Sequence, residues 1–216
     1  MLFATHVTQN SFAQLTVKGG INFASISANA TEANYSSYQN TAVVGYQLGI
    51  AYPFNISPNL AIQPEAYWMQ KGGKSQYVLN NSNGLVSTIT YNYGEVPILL
   101  KLSLGETTGS GFGVYILAGP AVGIAFNGTY QDQLTVAGAT ATTERDVSFN
   151  VNDQNYQNRV EWSGIIGIGA TMSRVVVDVR YNLGFTNLIN TGASSSAVSG
   201  SYQRNRGIGV TVGYQF

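Results

Sequence analysis

Val175-Val176-Val177-Asp178-Val179-Arg180-Tyr181-Asn182-Leu183-Gly184 decides the fold of this chain. Successive residues of a β-strand point to opposite faces. Val175, Val177, Val179, Tyr181 and Leu183 therefore make one oily face, with Asp178, Arg180, Asn182 and Gly184 behind it. Ahead of it, Trp162, Ile166 and Ile168 oppose Glu161, Ser163, Gly167 and Gly169 over about 159–171. After it, Ile208, Val210, Val212, Tyr214 and Phe216 oppose Gly209, Thr211, Gly213 and Gln215. The same alternation predicts strands over about 15–23, 42–53, 60–72, 90–104 and 112–127, which makes eight.

The connections carry a second signal. Short ones, 55–59, 105–110 and 172–174, alternate with long ones, about 24–41, 73–89, 128–158 and 188–204. Outer-membrane barrels have short periplasmic turns and longer outer loops. An even strand count then puts both termini on the periplasmic side. The expected fold is all-β, an eight-stranded antiparallel up-and-down transmembrane β-barrel over residues 14–216. Residues 1–13, ending Ser11-Phe12-Ala13, read as the remnant of a secretory signal peptide.

Composition bears on which face meets which solvent. Of 216 residues only 9% are charged, with zero net charge, no cysteine, one histidine, 25 glycines and 14 tyrosines. A soluble barrel would need charge at roughly 25–35% of its surface positions. Here the strand charges Lys18, Glu65, Lys71, Glu95, Lys101, Glu161, Asp178 and Arg180 all share parity opposite the oily stripe. They belong inside a barrel whose stripe faces lipid, and the narrow eight-strand interior calls for many small residues. Tyr46, Tyr52, Trp68, Trp162, Tyr181, Tyr214 and Phe216 lie on the oily face, as interfacial aromatic girdles would. The scattered basic residues offer no stripe for nucleic acid.

Lys18, Glu65, Lys101, Asp178 and Arg180 lie near the short-turn ends of their strands and are expected to meet in one layer. Glu95, Glu161 and Lys71 belong nearer the outer mouth. The cluster reads as a structural charge plug, with a gated ion path as the alternative. Histidine-dependent catalysis is disfavoured, because the single histidine is His6, in the leader segment. No metal, cofactor or catalytic residue is expected. Gly164 to Gly169 lies within a strand and opens no helix, so it is no nucleotide loop. Outer-loop binding candidates are Asp132, Glu144, Arg145, Asp146 and Asp153, in the longest connection, whose middle is suited to extending strands five and six as a hairpin.

An ordered set of motifs resembles the PorT-type outer-membrane β-barrel family, also described as porin-family or outer membrane beta-barrel domain proteins. The set is Val17-Lys18-Gly19-Gly20-Ile21-Asn22-Phe23, Ile62-Gln63-Pro64-Glu65, Tyr93-Gly94-Glu95-Val96-Pro97-Ile98-Leu99-Leu100-Lys101, Ala118-Gly119-Pro120-Ala121-Val122-Gly123, Arg180-Tyr181-Asn182-Leu183-Gly184-Phe185-Thr186-Asn187 and Val212-Gly213-Tyr214-Gln215-Phe216. Gly94 departs from the family, which usually has a branched apolar residue there. The resemblance implies a non-enzymatic barrel of the bacterial outer membrane, with an accessory role in protein secretion among its possible tasks. It also implies that Val212, Tyr214 and Phe216 form the C-terminal signal read by the barrel-assembly machinery. Expected partners are outer-membrane lipid, that machinery and an unknown protein or surface ligand at the long loops, with the barrel itself a monomer. A small-solute channel and a soluble lipocalin-like ligand-binding barrel are the competing readings.

The chain is expected to partition with outer membranes and to migrate differently on gels before and after boiling. Recovery from the soluble periplasmic fraction without detergent would refute the membrane reading.

Overall fold

A computed structural model describes residues 15–28, 37–80, 83–104, 111–153, 156–189 and 202–216. The expected leader, and with it His6, lies outside the described residues. Among the described residues eleven strands run in order: β1 (Thr16–Ala28), β2 (Ser37–Thr41), β3 (Val43–Ala51), β4 (Phe54–Ser57), β5 (Leu60–Asn80), β6 (Asn83–Leu104), β7 (Phe112–Val136), β8 (Ala139–Asp146), β9 (Val160–Met172), β10 (Val175–Gly184) and β11 (Gln203–Gln215). Eight of them form an antiparallel ring in the order β1, β3, β5, β6, β7, β9, β10, β11. It closes where β1 pairs with β11, from Thr16 opposite Gln215 to Ala28 opposite Gln203. The remaining three are short additions: β2 and β4 lie on β5, and β8 lies on β7.

Side-chain exposure follows the alternation. Val175, Val177, Val179 and Tyr181 face outward while Val176, Asp178 and Arg180 are buried. On β9, Trp162, Ile166 and Ile168 are exposed, Ile166 at 63%, with Glu161, Ser163 and Ile165 buried between them. The expected girdle residues Tyr46, Tyr52, Trp68, Trp162, Tyr181, Tyr214 and Phe216 are all on the outside. An apolar outer wall with charge enclosed rules out the soluble lipocalin-like barrel, which is oily inside.

Near the outer edge of the wall, Trp68 stacks on Phe126 with ring centres 5.3 Å apart. Trp68 Nε1 donates to the Tyr46 hydroxyl (3.3 Å), and that hydroxyl donates to Asn92 Oδ1 (3.0 Å). Rings in lipid with polar handles toward water suit a membrane interface. Gly94 sits between them: a Cβ there would lie 2.9 Å from Phe126 Cζ. The family departure at Gly94 thus leaves room for a ring from the neighbouring strand.

Three long connections differ from the sequence expectation; in the first, about 24–41, β1 runs on to Ala28 and β2 occupies Ser37–Thr41. In the segment 73–89, β5 continues to Asn80 and β6 begins at Asn83, and the two pair as far as Asn80 opposite Asn83. Beyond the bilayer no lipid enforces alternation, but Thr, Val, Ile and Tyr still favour strand. Likewise β7 runs on to Val136 and turns at Ala137-Gly138, both at positive φ (50° and 86°), the signature of a two-residue type I′ hairpin. The returning strand is the separate β8, and residues between Asp146 and Val160 lead to β9, so strand six itself is not extended. The long-loop end of the barrel therefore carries a sheet that stands beyond the apolar wall.

Ile166→Arg, on the lipid face of β9, is expected to cost about 2–4 kcal/mol in unfolding from phospholipid vesicles. Thr142→Arg on β8 should change stability by less than about 0.5 kcal/mol, since that strand is solvent-exposed. Equal costs at both positions would contradict the assignment of the wall to lipid.

Candidate functional site

Among the described residues the interior is packed at successive levels. On the β6, β7, β9 and β10 side lies an apolar cluster of Leu99, Tyr115, Leu117, Ala121, Ile165 and Val176. Facing it is an ionic network drawn from β1, β5 and β10. Lys18 Nζ donates to Asp178 Oδ2 (2.8 Å) and Glu65 Oε1 (3.4 Å). Arg180 donates to both partners: Nη2 reaches Glu65 Oε1 at 2.9 Å, Nη1 binds Glu65 Oε2, and Nε reaches Asp178 Oδ1 at 2.5 Å. Thr211, Tyr115 and Gln63 complete it, Thr211 Oγ1 and Tyr115 OH donating to Asp178 (2.9 and 3.2 Å) and Gln63 Nε2 to Glu65 (2.6 Å). Two cations thus meet two carboxylates, all buried.

Of the residues expected in this layer, Lys101 stands apart. It makes none of the ion pairs found among the described residues and lies over the Tyr115 ring, 4.2 Å from its centre. Strand register explains the separation. Lys101 is opposite Ala61, while Gln63, closer to Glu65, is already opposite Leu99. Lys101 is therefore nearer the short-turn end than its expected partners.

A second polar level lies toward the outer mouth. Lys71 binds Glu95 Oε2 and lies 3.5 Å from Glu161 Oε2. Glu95 and Glu161 share this level because each stands opposite Gly123, from either side of β7. Asn182 Nδ2 donates to both Glu95 oxygens (3.2 Å each), and Asn205 Nδ2 to Glu161 Oε2 (2.8 Å). Composition and parity alone did not single out these amides, although both are on the inward parity. A cavity of about 20 Å³, lined in part by Tyr67, Glu95, Arg180 and Asn182, lies between the levels. It holds no more than one water-sized occupant.

Above the second level the mouth is capped. Ile26, Met69, Ile89, Tyr91, Tyr93 and Ala125 pack with Val147 and Leu188 from the outer segments. The Tyr91 hydroxyl donates to Gln157 Oε1, and Gln157 Nε2 to the Tyr130 hydroxyl. Burial pushes the Tyr130 phenol above its ordinary pKa.

The interior side chains fit because glycines face them. Lys18 lies between Gly213 and Gly49, and Arg180 between Gly209 and Gly167. A Cβ at Gly213 would meet Lys18 Cγ at 2.8 Å, one at Gly49 would meet Tyr67 Cδ1 at 2.4 Å, and one at Gly169 would meet the Tyr115 hydroxyl at 2.4 Å.

The loop candidates are mostly on the protruding sheet. Arg145 Nη2 is 3.2 Å from Asp132 Oδ2, and its guanidinium lies 4.7 Å from the Tyr130 ring centre. Ser87 Oγ donates to Asp132 (2.5 Å). Glu144 and Asp146 are exposed on β8, opposite Gln131 and Thr129. Asp153, beyond β8, accepts from Ser148. At the other end of the chain, Val212, Tyr214 and Phe216 line the outer face of the last strand, the latter two rings edge to face at 5.2 Å.

The family described as "Outer membrane protein beta-barrel domain" matches residues 7–190. Among solved structures the chain is similar to Ail, the attachment invasion locus protein of Yersinia pestis (10% identity, covering 94% of this chain and 99% of that one, TM-score 0.40). It is similar also to the neisserial surface protein A (10%, 94% and 97%, TM-score 0.42) and to OprG from Pseudomonas aeruginosa (13%, 94% and 96%, TM-score 0.42). No curated protein matches the chain.

Arg180→Met leaves two buried carboxylates facing Lys18 alone and is expected to cost about 3–5 kcal/mol in equilibrium unfolding. Adding Glu65→Gln to that variant should recover part of the loss, giving a coupling energy above about 1 kcal/mol in the double-mutant cycle. Strict additivity would show that the two residues do not interact.

Proposed function

Because the chain belongs to the outer membrane protein beta-barrel domain family, we propose that it is a non-enzymatic barrel whose work is done by its outer protrusion, with the filled interior serving structure alone. It resides in the bacterial outer membrane, and lipid covers its apolar wall. The observation that carries the proposal is the contrast between the two ends of the interior and the sheet above it. The lumen is occupied by paired charges, rings and an apolar cap, whereas β8 and the outer end of β7 expose Thr, Gln, Asp, Glu and Arg side chains, with Leu134 and Val136 among them, to solvent. Asp132, Glu144, Arg145, Asp146 and Asp153 supply charge for recognising a protein or surface ligand there.

The finer reading is a PorT-type barrel, monomeric in the membrane, with an accessory role in secretion. It rests on the ordered motifs from Val17 to Phe216. Val212, Tyr214 and Phe216 are the signal offered to the barrel-assembly machinery, exposed along one edge-to-edge row of the last strand. Lys18, Glu65, Glu95, Lys101, Glu161, Asp178 and Arg180 are structural in this reading. Enzymatic work is disfavoured by the engagement of Glu65, Glu95, Glu161 and Asp178 with cations or amides. A small-solute channel is disfavoured by Arg180 binding Glu65 across the lumen.

Planar-bilayer recordings are expected to show no stable large conductance; a reproducible porin-sized step would overturn the plugged barrel. Because the chain has no cysteine, single-cysteine variants report its orientation. Thr142→Cys on β8 should be labelled by an impermeant maleimide on intact cells, and Asn59→Cys in the opposite turn only after the outer membrane is opened. The reverse pattern would remove the protrusion from the cell surface and the proposed function with it.

A further inference from the structure

The two polar levels of the interior differ in charge. The lower network pairs Lys18 and Arg180 with Glu65 and Asp178. The upper level sets the single cation Lys71 against Glu95 and Glu161, both 2% exposed or less. One carboxylate there has no cation of its own. Lys101, the interior lysine outside the ion pairs of the described residues, is on the far side of the lower network. A buried charge without a partner is costly.

The unpartnered atoms of this level are oxygens, three of them acceptors only. Asn182 and Asn205 turn their amide N–H groups to Glu95 and Glu161, which leaves their Oδ1 atoms facing away. Those two oxygens and Glu161 Oε1 are buried and accept no hydrogen bond. Ser163 Oγ, equally buried, has no partner either, and the Tyr93 hydroxyl lies against Glu161 and Asn205. Flipping an amide would set its carbonyl against a carboxylate, so the orientation is fixed by chemistry. Lys71 approaches Glu161 from the Oε2 side, leaving Oε1 as the free side. Gly184 stands opposite Ser163 and keeps that side clear, since a Cβ would be 2.7 Å from Oε1.

We infer that the upper level binds one small monovalent cation, such as sodium, at Glu161 Oε1 with the neutral oxygens of Asn205, Ser163 and Tyr93. One carboxylate with carbonyl and hydroxyl oxygens suits a hard monovalent ion. The described residues hold no group of three or more acidic or imidazole ligands of the kind a divalent or transition metal would use. The site is independent of what the outer sheet binds.

The test is thermal unfolding of the whole chain refolded in a zwitterionic detergent, followed by intrinsic fluorescence. Sodium chloride is titrated against N-methylglucamine chloride at constant ionic strength. The midpoint should rise saturably, by about 3 to 6 °C at ten times the half-saturating sodium concentration. Glu161→Gln, which removes the surplus charge and keeps the shape, should abolish the sodium dependence. Should that variant not fold, Asn205→Ala is read instead and should raise the half-saturating concentration several-fold. Three results overturn the proposal: a midpoint indifferent to sodium, including one that responds only to falling pH, since a proton would then neutralise the pair; sodium dependence surviving in Glu161→Gln; or an unchanged half-saturation in Asn205→Ala.

Discussion

The grip of Arg180 on Glu65 holds the middle of this molecule. β10 and β5 stand four strands apart around the ring in either direction, so the contact is a diameter of the barrel. Lys18, on the strand midway along one of those arcs, joins both carboxylates of the network. A ring held across its width has no open lumen at that level. Lys71 to Glu161 and Asn182 to Glu95 make the next set of crossings, each between strands that are not neighbours. Removing charge from water in this way is tolerable in the lower network because each cation there meets a carboxylate.

The width of an eight-strand ring leaves little freedom in how those crossings are built. A long interior side chain must have almost nothing beside it. Glycines flank Lys18 and Arg180 in register on both neighbouring strands, and Gly123 separates Glu95 from Glu161. On the wall, the same residue type serves a different end at Gly94, where a Phe126 ring lies over the bare backbone. The low charge fraction has a common cause on both surfaces: lipid excludes charge from one and lack of space limits it on the other.

Strand number, face and closure could be read from the sequence because lipid forces a strict period of two, as in Val175 to Leu183. That pressure ends at the bilayer surface. The stretch from Lys74 to Ile89 keeps strand geometry without an apolar stripe, so its polar residues looked like loop, and β8 was legible only as a hairpin without its true partner. Parity placed the interior charges correctly but said nothing of height. Strand stagger separates Lys101 from Asp178, and no count along single strands reveals it. The interior place of Tyr115 and Leu117 is masked in the sequence because their face of β7 otherwise reads as glycine and alanine. Asn182, Asn205 and Ser163 share the inward parity, but their significance appears only with the carboxylates set beside them.

Pairing of β1 with β11 joins Thr16 to Gln215, the first and last positions of the ring. A ribosome releases those two residues almost a whole chain apart in time. Until β11 exists, β1 and β10 each present a bare row of amides and carbonyls, which hydrocarbon cannot satisfy. A nascent or truncated barrel therefore has no partly inserted resting state, and must be kept unfolded and shielded until its last strand arrives. Closure is then a single late event, slow because it bridges the greatest sequence separation the chain offers.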